Sequence, residues 1–233
     1  MVAFEAAVRL GYRYVETDVH ATADGVLVAF HDEHLDRVTD QTGVIAGLPW
    51  SQVARARVGG TEPVPTLVEL LDAWPGLRVN VDIKADSAIA PLVAAVERTR
   101  AHDRVCVTSF SDSRRRQAVA RLSAPVATSG GTRTVGAFLA AQRLPGRLGR
   151  AAVRRALAGV HALQVPERHG RVPVVTAATV AAAHEAGVPV HVWTIDEPGD
   201  MHRLLDLGVD GLVTDRSDLL RDVLVERGVW SEA

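Results

Sequence analysis

Short β-branched runs alternate along this chain with Ala/Leu/Arg-rich stretches of helical spacing. The runs Tyr14–Val19, Val26–Phe30, Arg78–Ile83, Arg104–Phe110, Ala124–Thr128, Ala162–Val165, Pro189–Thr194 and Gly208–Thr214 read as strands. Between them, Leu67–Trp74, Ala88–Arg100, Ser113–Leu122, Ala177–Ala186 and Gly199–Leu207 read as helices. Thr66 followed by Glu69 has the capping-box form, and Ser111 and Thr176 are further N-caps. Strand then helix, repeated, predicts a parallel sheet joined by crossovers.

The chemistry at the strand ends favours a closed barrel over an open sheet. Glu16 and Asp18, His31, Asp82 and Lys84, Ser109, Gln164, Trp193 and Asp215 all close or follow predicted strands. In a (β/α) barrel one rim collects every strand's C-terminal end, and active sites sit there. No Gly-x-Gly-x-x-Gly follows the first strand, which argues against a dinucleotide-binding sheet. The expected fold is therefore an α/β TIM (β/α)8-type barrel, with residues 1–233 as a single domain. Residues 34–65, rich in Gly and Pro, read as a small insertion after the early His-Asp strand.

A chain of 233 residues with 47% hydrophobic content can bury a sizeable core. Its formal net charge of -2 excludes a nucleic-acid-coating surface. A lone cysteine, Cys106, permits no internal disulfide and in its apolar run reads as an inert thiol. No apolar run reaches membrane-spanning length and no leader pattern opens the chain, so a cytoplasmic protein without stable membrane insertion is expected. Arg143, Arg147, Arg150, Arg154 and Arg155 crowd a Gly/Ala-rich stretch. This reads either as a loop attracting phosphorylated or membrane-surface substrates or, more plainly, as a solvated surface helix with its loop.

Period two puts Glu16 and Asp18 on one strand face, with Val15, Thr17 and Val19 on the other. Two inward carboxylates are costly unless a cation neutralises them, and Mg²⁺ or Ca²⁺ is the economical answer. Interior Arg or Lys partners are the structural alternative. Asn80, Asp82 and Lys84 share a second face, so Asp82 would complete a three-carboxylate metal site and Lys84 would face a phosphate oxygen. His31, ending an apolar strand beside this pair, is a candidate general acid or base. His20 and His34 read as rim and loop residues. Together Glu16, Asp18, Asp82, His31 and Lys84 indicate metal-assisted phosphoryl chemistry.

These residues resemble the glycerophosphodiester phosphodiesterase family. The carrying motifs are Glu16-Thr17-Asp18, the Thr22-Ala23-Asp24-Gly25 hairpin, His31-Asp32, Asn80-Val81-Asp82-Ile83-Lys84, Thr108-Ser109-Phe110 and Val192-Trp193-Thr194-Ile195-Asp196. The resemblance implies that Glu16, Asp18 and Asp82 bind a divalent cation, with Asp82 standing where family members usually have Glu. It implies that His31 is one of two acid/base histidines, that Lys84 contacts phosphate and that Trp193 lines the substrate pocket. It further implies metal-dependent hydrolysis of a glycerophosphodiester or lysophospholipid to glycerol 3-phosphate and an alcohol, through a cyclic phosphate, within lipid and glycerol metabolism.

The chain departs from the family pattern at its start, where a first strand with His-Arg-Gly is expected and Met1-Val2-Ala3-Phe4 stands instead. Read as it stands, it lacks the partner histidine, a loss worth ~10²–10⁴ in rate. A start at an internal methionine or a shortened chain is the simplest account. Two rival functions follow: a truncated barrel that binds phosphate esters without turnover, and a sphingomyelinase D-like lipid phosphodiesterase.

Overall fold

The computed structural model describes residues 1–230 and divides them into two compact units, Met1–Ala127 and Thr128–Ala233. The first unit opens on helix α1 (Val2–Arg9), then strand β1 (Tyr14–Ala21) and strand β2 (Leu27–Ala29). Between the strands Gly25 turns at φ +85°, where a Cβ would be strained. Thr22 Oγ1 donates to Asp24 Oδ1 at 2.6 Å and accepts from Val26 N at 2.9 Å, locking the turn. β2 consequently runs antiparallel to β1, with Val19 opposite Ala29.

Residues 34–65 form a small body of their own. Helix α2 (Trp50–Val53) and the hairpin of β3 (Arg57–Val58) and β4 (Glu62–Pro63) enclose Phe30, Leu35, Ile45, Val53, Ala56 and Val64. The chain then re-enters the alternation: α3 (Leu67–Ala73), β5 (Arg78–Ile83), α4 (Ile89–Thr99), β6 (Val105–Thr108), α5 (Asp112–Val119) and β7 (Ala127–Thr128). The predicted capping box forms, with Thr66 Oγ1 accepting from Glu69 N and the Glu69 carboxylate accepting from Thr66 N. The sheet order is β2-β1-β5-β6-β7, and β1, β5 and β6 pair in parallel. Leu67, Leu70 and Leu71 of α3 and Leu92 and Val96 of α4 pack on Val79, Val81, Val105 and Val107 of the sheet. Each such side chain contributes roughly 1.5–3 kcal/mol by leaving water.

The second unit contains α6 (Thr132–Ala141), α7 (Gly146–Ala156), β8 (Leu163–Pro166), β9 (Arg168–His169), β10 (Val172–Pro173), α8 (Ala177–Glu185), β11 (Val190–Trp193), α9 (Pro198–Asp206), β12 (Gly211–Leu212) and α10 (Ser217–Glu226). Its sheet order is β12-β11-β8, all parallel. The predicted strands and helices form with ends shifted by a few residues. The last predicted strand shrinks most, to Gly211–Leu212, although Asp210 N and Val213 N on either side still donate to Val190 and Val192 of β11. No described helix is long and apolar enough to cross a membrane. Cys106 lies half-buried on β6, and burial pushes its thiol up to about 11, as an inert cysteine requires.

A polar strap joins the end of α4 to the segment after α5. Glu97 accepts from Ser123 N at 2.6 Å and Ser123 Oγ at 2.7 Å, and His102 lies 3.2 Å away. The serine bonds, then the histidine, hold its carboxyl down at about 2, against an ordinary 4.5. A lowered carboxyl stabilises the fold above its unfolded value and loses that contribution as pH falls through its folded one. Urea titrations should therefore show Glu97→Gln less stable than the parent at neutral pH, with the gap closing between pH 4.5 and 2.

Candidate active site

β1 and β5 place the carboxylates. In their parallel register Asp18 stands beside Asp82, and Glu16 beside Asn80 one step toward the strand starts. Asp18 and Asp82 are 9% and 7% exposed, so both are cut off from most of the water that would screen them. Lys84 resolves the conflict: its Nζ lies 2.7 Å from Asp18 Oδ1 and 2.7 Å from Asp82 Oδ2. Phe110, after β6, sits under the same ammonium with its ring centroid 5.4 Å away. Burial raises the Asp18 carboxyl, Lys84 pulls it back, and Asp82 adds to the rise. Burial also works against the Lys84 charge, but the two carboxylates hold its pKa above the ordinary lysine value.

The backbone brings His31 to the same place. Phe30 N donates to Asp18 O at 2.9 Å, and Lys84 N to Val19 O at 3.3 Å. His31 Nε2 then lies 3.9 Å from Asp18 Oδ2, while His31 Nδ1 is 2.7 Å from Asp32 Oδ1. Asp32 is clamped in turn by Arg37, whose Nε and Nη2 donate at 2.6 and 2.8 Å. Those bonds, with that of His31, hold Asp32 far below the usual carboxylate range. An ionised Asp32 accepts, so Nδ1–H donates to it and Nε2 is left on the side of Asp18.

Of the residues singled out in the sequence, Asp18, Asp82, Lys84 and His31 converge. Glu16 is half-buried one row from them. Trp193 closes β11 beside Pro166 in the second unit, half-buried. His34 lies in a loop, as read, and His20 sits buried near the C-terminal end of β1. It follows Glu16 and Asp18 on the same face of β1, is 7% exposed, and lies with Nε2 3.2 Å from the His31 carbonyl. The His20 period was present in the sequence. Phe110 lay in a motif of the family pattern, but the contacts of Arg37 with Asp32 and of Phe110 with Lys84 show only in the fold.

Could these groups hold a metal? Asp82 Oδ1 is buried without a hydrogen-bond partner, which leaves one hard oxygen donor beside Asp18. That donor chemistry fits a divalent cation. Among the described residues, no three His, Cys, Asp or Glu side chains already converge on one point; a cation here would need Glu16 as a further ligand or a shift of Lys84.

The profile of the Glycerophosphoryl diester phosphodiesterase family matches residues 1–219. The chain is 49% identical over 233 residues to a Mycobacterium tuberculosis protein named "Probable glycerophosphodiester phosphodiesterase 2", covering 100% of this chain and 87% of that one. It superposes at TM-score 0.79 and 25% identity on a Silicibacter pomeroyi protein described as a candidate glycerophosphoryl diester phosphodiesterase, covering 98% and 88%. An Oleispira antarctica phosphodiesterase, solved with its product sn-glycerol-3-phosphate, superposes at TM-score 0.77 and 20% identity, covering 96% and 89%. The fold is thus the α/β fold of these TIM barrels, and the site class is that of a phosphoric diester hydrolase. The chain belongs to the glycerophosphoryl diester phosphodiesterase family.

Lys84 is the one cation on two buried carboxylates, so removing it should be expensive. Lys84→Met should lower unfolding free energy in denaturant by on the order of 3 kcal/mol, whereas Lys84→Arg should recover part of it. A Met variant as stable as the parent would mean the carboxylates are neutralised some other way.

Proposed function

We propose that this chain hydrolyses glycerophosphodiesters to glycerol 3-phosphate and an alcohol, with a divalent cation, Mg²⁺ or Ca²⁺, held by Glu16, Asp18 and Asp82. The observation that carries the reading is the meeting of the Asp18–Lys84–Asp82 triad with a histidine held in one tautomer. Family membership and the product complex of the Oleispira antarctica relative support the substrate class. A bound cation supplies Lewis-acid polarisation of the phosphoryl oxygens and charge compensation for the phosphate.

The chain's own residues divide the remaining work. Lys84, already 2.7 Å from both carboxylates, has its third ammonium proton to offer a phosphate oxygen. His31 is 74% exposed at its side chain, so substrate can reach Nε2. There it moves a proton to or from the oxygen entering or leaving phosphorus, while Asp32 holds the ring and steadies the imidazolium that results. Arg37 keeps Asp32 ionised. The family pattern gives Trp193 a substrate-binding role. The setting is cytoplasmic lipid and glycerol metabolism.

Three substitutions separate these roles. Asp18→Ala should abolish hydrolysis of glycerophosphocholine and, by calorimetry, weaken Mg²⁺ or Ca²⁺ binding. Undiminished cation binding would sink the ligand assignment. His31→Ala should lower kcat by ~10²–10⁴ while cation binding persists. Asp32→Asn should lower kcat by roughly 10–100-fold with KM little changed, since only the hold on His31 is lost.

A further inference from the structure

Residues 113 to 166 contain ten arginines and no aspartate or glutamate, in a chain whose formal net charge is -2. The later part of that span folds as α6, a short turn and α7. Arg143, Arg147, Arg150, Arg154 and Arg155 are all exposed, and none of them is ion-paired among the described residues. Two leucines stand in their midst: Leu144 is 51% exposed and Leu148 77%. Gly149 and Val153 are buried and turn inward. At 3.6 residues per turn this sends Arg147, Leu148, Arg154 and Arg155 to the outer face. The turn is tight, for a Cβ on Gly149 would come within 2.0 Å of the Leu144 carbonyl oxygen. Leu148, on the outer face, is the more exposed of the two leucines at this end of the arginine field.

We propose that this face of α7, with the turn before it, is a peripheral docking surface for an anionic lipid bilayer. Guanidinium forks match lipid phosphates, and a helix lying in the interface needs an apolar edge at the headgroup–acyl boundary. The leucines choose between polyanions. A nucleic-acid backbone would satisfy the arginines and leave a side chain as exposed as Leu148 with nothing to cover it. The neighbouring recess of about 190 Å³ between α7 and α8 carries Glu185 beside Arg150 and Arg154. Lipid phosphates therefore meet the outer face and not that recess. The surface stands independently of the carboxylate site and calls for no insertion across the membrane.

Sedimentation of the full chain with vesicles tests this. The chain should pellet with vesicles of phosphatidylcholine and phosphatidylglycerol, remain in solution with phosphatidylcholine alone, and be released by high salt. Replacing Arg147 and Arg155, which lie outside the recess between α7 and α8, by Gln should cut the partition coefficient by ~5-fold per arginine. Leu148→Ser should cut it by about 10-fold at every salt concentration. Both variants should hydrolyse soluble glycerophosphocholine at the parent rate, and this keeps failure of the surface distinct from failure of the active-site reading. Failure of the parent to pellet with anionic vesicles would overturn the proposal. So would equal binding to neutral vesicles, or indifference to Leu148→Ser with duplex DNA bound as tightly as vesicles.

Discussion

Two carboxylates side by side and nearly dry are the costly arrangement around which the first unit is organised. Asp18 and Asp82 face each other because β1 and β5 pair in parallel without offset, and only the Lys84 ammonium makes the pairing tolerable. The elements around it serve that contact. β6 supplies the aromatic face under the ammonium through Phe110. Ser109 Oγ and Arg114 Nη1 both donate to the Ile83 carbonyl, fixing the strand end from which Lys84 projects. A neutral substitute for either acid would relieve the repulsion but leave the lysine under-employed and the strand end without its electrostatic anchor.

The triad is also a charge site kept in balance. Asp18 sits above its usual value because burial outweighs the lysine's help, so it is a carboxylate with affinity to spare for a second cation. The unpaired Asp82 oxygen carries the same message. A substrate phosphate brings negative charge to a lysine already shared by two acids. On the proposed function, a hard cation alongside it would restore neutrality and so couple substrate and metal binding.

Period-two reasoning carried far in this chain, because strand parity is a local property. It put Glu16 and Asp18 on one face, set Asp82 and Lys84 together, and found the capping box at Thr66 and the caps at Ser111 and Thr176. It would have put His20 on the inner face as well, had the pattern been followed two residues further. What stayed hidden depends on how the chain turns back on itself and how its strands pair. Arg37 reaches Asp32 only because the segment after β2 doubles back, and Phe110 meets Lys84 only across two strands. The Arg-rich stretch read as a surface helix with its loop is α7 and the turn before it, while α6 and α10 lie outside the predicted helices. The closeness of the Glu16 row to Asp82 was legible as register, and the distance between them was not.

The small body formed by residues 34–65 has a consequence beyond packing. Its core holds Phe30, the neighbour of His31, and Ala29 N bonds to Pro65 O where the segment rejoins the sheet. Arg37, the clamp on Asp32, grows from the same segment. The orientation of the imidazole therefore inherits the local opening free energy of this body, not the global stability of the sheet. An opening that displaces Arg37 would loosen Asp32 and with it the hold on the ring. A modest cluster of six or so apolar side chains thus acts as a timekeeper, setting the fraction of molecules whose histidine is aimed.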